Sequence, residues 1–150
     1  MIRFVLVLLL SSLVLNAKEI EGTVSEVYKR ASNDDLLLHR IDPPVGDNKD
    51  GGLRPAIVFF FGGGWNGGSP TQFLTQGKYL ASRGMVVFLA DYRVKSRQGT
   101  SPRECALDGS SAIRYVRKNA KKFGIDPYRI AAGGGSAGGH VAATTGICQG

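Results

Sequence analysis

The sequence is poor in the residues that bind metal ions or build disulfide frameworks. It contains 2 histidines and 2 cysteines among 150 residues, and their positions lack the spacing typical of metal ligands. Both cysteines, Cys105 and Cys148, fall in stretches predicted to be helical with one apolar face. That favours buried thiols, although a disulfide stays open because pairing cannot be read from sequence. No pattern indicates a flavin or haem, so we expect neither a metal nor another cofactor.

Internal repeats and low-complexity segments are also missing. The 21 glycines cluster in two stretches, residues 62–68 and 133–139, which argues for two functional loops and against a fibrous chain. With 43% hydrophobic residues, the chain can bury the core of at most one domain.

Acidic residues are outnumbered by basic ones, 12 to 19, for a net charge of +7. The densest basic group consists of Arg114, Arg117, Lys118, Lys121 and Lys122. Spacings of three and four residues place this group on one side of a helix, and a solvated helix face explains it. Nucleic-acid binding would need aromatic or base-reading residues among the charges, and few are there. We therefore expect no nucleic-acid partner.

The N-terminus combines a basic residue, Arg3, with a long apolar run and a small residue, Ala17. This order is typical of a secretory signal peptide. We predict that residues 1–17 are cleaved after Ala17 and that the mature protein is secreted or periplasmic, with no membrane span after cleavage. The alternative is an uncleaved anchor, for which the run is short against the roughly 20 residues of a spanning helix.

Short buried strands alternate with amphipathic helices along the rest of the chain, which predicts an α/β fold. Its sheet should be mostly parallel with helices on both faces. The predicted strands are residues 19–28, 36–41, 55–61, 85–90 and 129–132. The predicted helices are residues 71–83 and 102–123, with a third after the second glycine stretch, and residues 45–54, 91–101 and 124–127 are predicted turns or loops.

The second glycine stretch contains Gly134-x-Ser136-x-Gly138 between a predicted strand and a predicted helix. A nucleophile elbow has this form, because its serine takes a strained conformation and the residues two positions away must lack a bulky Cβ. Ser136 is therefore the candidate nucleophile. The amide of Ala137, at the start of the helix, can donate to a developing oxyanion.

Four motifs together resemble the α/β-hydrolase fold, in its branch of hormone-sensitive-lipase-like and acetyl or feruloyl esterase-like serine carboxylesterases. They are Gly-Gly-Gly-Trp at 62–65, Asp-Tyr-Arg at 91–93, Gly-Ile-Asp-Pro-Tyr-Arg-Ile at 124–130 and Gly-Gly-Ser-Ala-Gly-Gly at 134–139. The resemblance covers about residue 36 to the end of the chain. It implies ester hydrolysis through an acyl-enzyme on the serine, with small-molecule or polysaccharide-linked esters of short acyl groups as substrates.

The resemblance also implies roles for the first glycine stretch. The amides of Gly63, Gly64 and Ala137 would form the oxyanion hole, and Trp65 would line the substrate pocket or pack in the core. The Asp-Tyr-Arg motif looks structural. One departure is Phe61, which stands where the family usually has a histidine that braces the glycine loop through hydrogen bonds.

A second departure concerns the base. In this fold the acid and the histidine follow the serine, but after Ser136 the sequence has no acidic residue and one histidine, His140. His140 lies four residues on along the helix, so its ring should point away from the hydroxyl. His39 is predicted to be a strand residue. We therefore expect residues 18–150 to be the N-terminal part of a hydrolase domain, incomplete at the C-terminus and inactive alone.

Three other functions compete. The same elbow serves lipases and exopeptidases, and a hydrolase-like binding module would need no base. Both glycine stretches also match Gly-x-Gly-x-x-Gly, and Asp91 ends the strand after the first, roughly where a dinucleotide fold places its ribose-binding acid. Against an NAD(P)-dependent oxidoreductase, residues 67–70 extend the loop before a helix can begin.

Overall fold

The computed structural model describes residues 19–31, 34–46 and 51–147. The predicted signal peptide and Cys148 lie outside these ranges. Five strands are described: β1 (Val24–Ala31), β2 (Asp34–Ile41), β3 (Arg54–Phe60), β4 (Val86–Ala90) and β5 (Ile125–Gly134). They form one sheet in the order β1-β2-β4-β3-β5.

The sheet has a parallel half and an antiparallel half. Strands β4, β3 and β5 run parallel to one another, as predicted. Strand β2 runs antiparallel to β4, and β1 runs antiparallel to β2. The β1–β2 pair is antiparallel because only two residues connect its strands, and a parallel pair needs a crossover of a dozen or more.

Helices cover both faces of the sheet, which confirms the predicted layering. They are α1 (Leu74–Ala81), α2 (Lys95–Gln98), α3 (Pro102–Lys118), α4 (Ala120–Phe123) and α5 (Ala137–Ile147), and a 3-10 turn over Pro70–Phe73 precedes α1. Alternate residues of β3 face opposite layers. Val58 and Phe60 join the larger core under α3 and α5, whereas Ile57 and Phe59 pack against the smaller core under α1.

The first strand begins later than predicted. Thr23 donates from both its amide and its hydroxyl to the carbonyl oxygen of Ile20, at 3.1 and 2.8 Å. Gly22 takes a φ of 80° in the turn that these bonds close. The strand therefore runs over Val24–Ala31, and the prediction of residues 19–28 is wrong at its start.

The predicted helix over residues 102–123 is two helices. Asn119 interrupts it with φ −100° and ψ 16°, and its side-chain amide donates to the carbonyl oxygen of Tyr115 at 2.8 Å. Asparagine competes for backbone groups in this way, which disfavours it inside helices. The predicted turn at 124–127 is also too long, because Gly124 alone takes the left-handed conformation (φ 65°) and β5 begins at Ile125.

The remaining predictions differ less from the structure. The predicted loop at 91–101 contains the single helical turn α2. All five residues of the basic group at 114–122 are exposed, as expected of a solvated face. In the described ranges, no helix combines the length and the apolar character needed to cross a membrane.

Candidate active site

The turn between β5 and α5 holds Ser136 in a strained conformation. Its φ is 50°, a region that L-residues other than glycine seldom occupy. The flanking glycines make the turn possible. A Cβ on Gly134 would lie 2.6 Å from the carbonyl oxygen of Phe60, and a Cβ on Gly138 would overlap that same oxygen. The strand–turn–helix predicted around Ser136 is therefore present, with both glycines required by close backbone contacts.

Ser136 faces outward at the start of a helix. The residue is exposed, and within the described residues its hydroxyl has no hydrogen-bond partner. Ala137 is the first residue of α5 and is buried. The first amides of a helix lack intrahelical partners and carry the positive end of the helix dipole. The Ser136 hydroxyl and the Ala137 amide, a backbone donor, thus adjoin each other in sequence and in space.

The first glycine stretch lies directly against this turn. A Cβ on Gly62 would lie 2.7 Å from the carbonyl oxygen of Gly135, so the two backbones touch there. Gly63 and Gly64 both have positive φ, 143° and 61°, and both are exposed. The structure therefore brings the segment with the predicted oxyanion donors next to Ser136. We call residues 62–68 the glycine loop.

Phe61, immediately before the glycine loop, is held by Tyr92. Its ring is fully buried and stacks on that of Tyr92, with centroids 4.2 Å apart and planes at 14°. The Tyr92 hydroxyl donates to the Phe61 carbonyl oxygen at 2.5 Å. Burial raises the pKa of Tyr92 well above its usual value, so the phenol keeps its proton and remains a donor.

Three further hydrogen bonds fasten the glycine loop. The amide of Gly62 donates to Oε1 of Gln72 at 2.6 Å, a contact that the sequence analysis missed. Beyond the triple glycine, the carbonyl oxygens of Trp65 and Asn66 accept from the amides of Lys95 and Ser96 in α2, at 2.9 and 3.0 Å. The loop is therefore held at both ends without a histidine at position 61.

Trp65 packs at the edge of the larger core, beside the helix that follows Ser136. Its φ of 57° is unusual for a bulky residue, and its ring packs partly against the larger core. The ring also meets that of His140 edge to face, with centroids 5.5 Å apart and planes at 88°. Its indole N–H is buried and has no hydrogen-bond partner in the described part of the chain. Trp65 thus spans the space between the core and the helix that follows Ser136.

Neither histidine is bonded to the Ser136 hydroxyl. The His140 ring is exposed and contacts Trp65, while its backbone amide donates to the Ser136 carbonyl oxygen at 3.1 Å. His39 lies in β2, is 3% exposed and has its Nδ1 2.8 Å from the Ser25 hydroxyl. Burial lowers the pKa of His39, which favours its neutral form. It is a strand residue, as predicted.

The Asp-Tyr-Arg motif is tied into ion pairs. Both carboxylate oxygens of Asp91 accept from Arg97, at 2.7 and 3.0 Å. Arg93 donates from Nε and Nη2 to the fully buried Asp108 at 2.8 and 2.9 Å. These contacts agree with the structural role expected of the motif. They also weaken the dinucleotide interpretation, because the Asp91 carboxylate that would bind a ribose is already paired.

The other chemistry-bearing residues of the described ranges do not form a metal site. Cys105 is a buried free thiol whose Sγ donates to the Arg93 carbonyl oxygen at 3.1 Å, and burial raises its pKa. Residues 19–31, 34–46 and 51–147 contain no group of three or more histidine, cysteine or acidic side chains able to hold a metal ion.

A strained serine on a strand–turn–helix unit, with a glycine loop at the end of the neighbouring parallel strand, defines an α/β-hydrolase. The family model BD-FAE matches residues 45–150. The chain therefore belongs to the BD-FAE family of α/β-hydrolases, which confirms the resemblance found in its motifs.

Three proteins illustrate the relationship. The isoprenylcysteine alpha-carbonyl methylesterase ICME of Arabidopsis thaliana is 40% identical over 109 residues, which are 73% of this chain and 25% of that protein. The carboxylesterase NlhH of Mycobacterium tuberculosis is 36% identical over 103 residues, 67% of this chain and 30% of that one. The butyrate-bound structure of the esterase Est2 of Thermogutta terrifontis is 52% identical with a TM-score of 0.77, covering 82% of this chain and 44% of the other. The chain thus spans less than half the length of each of these three proteins.

Proposed function

We propose that the chain supplies the nucleophile and the oxyanion donors of a serine carboxylesterase that works through an acyl-enzyme. The observation that carries the proposal is Ser136, exposed at φ 50° on an elbow that touches the glycine loop. The names of the three similar proteins, all esterases, support it. Strain of this kind at an exposed, chemically competent residue is typical of active sites.

In the proposed reaction, the Ser136 Oγ attacks the carbonyl carbon of an ester. The carbonyl π electrons move to its oxygen, and the amides of Gly63, Gly64 and Ala137 stabilise that negative charge. A general base takes the Ser136 proton during the attack and returns it to the departing oxygen, so that collapse of the intermediate releases the alcohol and leaves an acyl group on Ser136. A water molecule, deprotonated by the same base, then attacks the acyl carbon and releases the carboxylic acid with Ser136 protonated again. Because neither His39 nor His140 bonds Ser136 and the 150 residues contain no other histidine, we assign the general base and its carboxylate partner to residues of the full-length protein other than these 150.

We propose that the acyl group is short. The butyrate in the similar esterase structure supports this choice. Trp65 would line the pocket, since its ring lies between the core and the helix that Ser136 precedes. Acyl groups on carbohydrate polymers are a second substrate class, supported by the signal peptide predicted over residues 1–17. Sequencing the N-terminus of the exported protein tests that export, with cleavage after Ala17 as the expected result.

Hydrolysis of p-nitrophenyl butyrate by the full-length protein tests the reaction. Ser136→Ala should lower kcat by roughly 10⁴-fold or more, because the nucleophile is lost. A phosphorylating ester such as diethyl p-nitrophenyl phosphate should add its phosphoryl group to Ser136, detected by mass spectrometry of the digested protein. A folded, full-length protein that neither hydrolyses esters nor takes the label would instead indicate a binding module. Dependence on a nicotinamide cofactor would favour the oxidoreductase.

A further inference from the structure

Gln72 holds the peptide group from which the glycine loop starts. We propose that it is a positioning residue that directs the amides of Gly63 and Gly64 toward the Ser136 site through its bond to Gly62. The inference rests on the proposed function, since positioned amides matter only if they stabilise an oxyanion. It assigns to Gln72 a task that the apolar side chain of Phe61 cannot perform.

The peptide between Phe61 and Gly62 is clamped on both sides. Its carbonyl oxygen accepts from the Tyr92 hydroxyl at 2.5 Å, and its N–H donates to Gln72 Oε1 at 2.6 Å. A peptide group is planar, so two bonds on opposite edges fix its rotation about the chain. We call this arrangement the peptide clamp.

The backbone of Gln72 is itself well fixed. Gln72 lies in the 3-10 turn Pro70–Phe73, which begins at the capping residue Ser69. The neighbouring Phe73 ring stacks on that of Phe59 in β3, with centroids 4.8 Å apart and planes at 3°. The same ring lies 3.4 Å from the position of a Cβ on Gly135. The turn that carries Gln72 is thus packed against both β3 and the elbow.

The segment after the clamp needs such a support. Three consecutive glycines have the freest backbone that a chain can have, and an oxyanion donor is effective only when its N–H points at the developing charge. Among the described residues, no other side chain bonds an amide of Gly62, Gly63 or Gly64. Without Gln72, the glycines would retain the Tyr92 bond and the contacts of Trp65 and Asn66 with α2, but the N–H side of the peptide would be released.

Gln72→Met in the full-length protein tests the clamp, because methionine has a similar length and lacks a strong acceptor. We expect kcat for p-nitrophenyl butyrate to fall about tenfold, as donors are misaligned but not removed, with KM changed less than twofold. Affinity for a trifluoromethyl ketone, which forms a charged tetrahedral adduct with the serine, should fall by the same factor. Gln76→Met is the matched control: Gln76 is exposed on α1 and should leave both quantities unchanged.

Gln72→Glu sharpens the test. Its carboxylate still accepts from Gly62 but places a negative charge near the oxyanion, so kcat should be below wild type at pH 8. As the pH falls and the carboxyl group is protonated, the ratio of its kcat to wild type should rise, since the neutral acid keeps an acceptor. The inference is overturned if Gln72→Met behaves like Gln76→Met, or if kcat falls while ketone affinity does not. Retention of activity by Ser136→Ala would instead overturn the proposed function.

Discussion

The elbow and the glycine loop are both strained turns, and different contacts stabilise them. Each follows a strand of the parallel half of the sheet, and each holds a side-chain-bearing residue at positive φ, 50° for Ser136 and 57° for Trp65. The elbow is held by backbone packing, since Gly134 and Gly138 leave no room for a methyl group. The glycine loop also has close contacts at Gly63 and Gly68, but its two ends are held by hydrogen bonds with Gln72, with Tyr92 and with the amides of α2.

The two arrangements respond differently to mutation. Packed backbone has no means of relaxing around an added atom, because protein interiors are as dense as organic crystals. In a hydrogen-bonded loop, a substitution that removes one hydrogen bond leaves the others in place. We therefore expect glycine substitutions at the elbow to act on folding, and substitutions of Gln72 and Tyr92, whose side chains bond the start of the loop, to act as graded changes in rate.

The largest expected effect is that of Gly138→Ala at the elbow. Its methyl group would overlap the carbonyl oxygens of Phe60, the last residue of β3, and of Phe61, which accepts from the Tyr92 hydroxyl. We expect a loss of at least about 3 kcal/mol in the free energy of unfolding, the upper end of overpacking costs. Thermal unfolding of the full-length protein, followed by circular dichroism, measures the loss.

Gly146→Ala, on the same helix, is the control for Gly138→Ala. A Cβ there meets nothing within 4 Å, so alanine should be neutral or stabilise the helix by up to about 1 kcal/mol. If both variants unfold at the wild-type temperature, the elbow is not held by packing and its contrast with the loop disappears.

Tyr92→Phe should have an intermediate effect, now on the loop. The change keeps the buried ring but leaves the Phe61 carbonyl oxygen without its donor, which costs about 1–3 kcal/mol. We expect kcat for p-nitrophenyl butyrate to fall several-fold, in the same direction as for Gln72→Met. Tyr79→Phe serves as the control, because Tyr79 is 60% exposed. A Tyr92→Phe enzyme that loses stability but keeps the wild-type kcat would show that only the Gln72 side of the clamp matters.

The difference between local backbone contacts and contacts with side chains far along the chain also explains which features could be predicted from the sequence. The elbow was predictable because its requirement for glycine at 134 and 138 is written at fixed spacing around Ser136. The buried runs of β3 and β4 were predictable for a similar reason, since a strand covered on both faces is apolar throughout. In each case the structure is decided within a few neighbouring residues.

Contacts between residues that are far apart in the sequence could not be predicted. Gln72 lies ten residues beyond Gly62, and its role depends on a 3-10 turn where the pattern predicted an ordinary helix. The break at Asn119 was missed because the apolar stripe continues through it. The antiparallel half of the sheet was missed because alternating patterns do not specify which neighbour a strand pairs with.

The smallest expected effect is that of Gly64→Ala, and it separates conformational strain from steric overlap. Gly64 has φ 61° but a Cβ there meets nothing within 4 Å, so alanine costs only the left-handed conformation, about 1–2 kcal/mol. Gly63→Ala is the matched comparison in the same loop, since its methyl group would overlap the carbonyl oxygen of Gly67. We expect Gly64→Ala to unfold a few degrees below wild type and Gly63→Ala much lower. If Gly63→Ala loses no more stability than Gly64→Ala, the loop shifts to relieve the overlap, and its hydrogen bonds rather than its packing hold it.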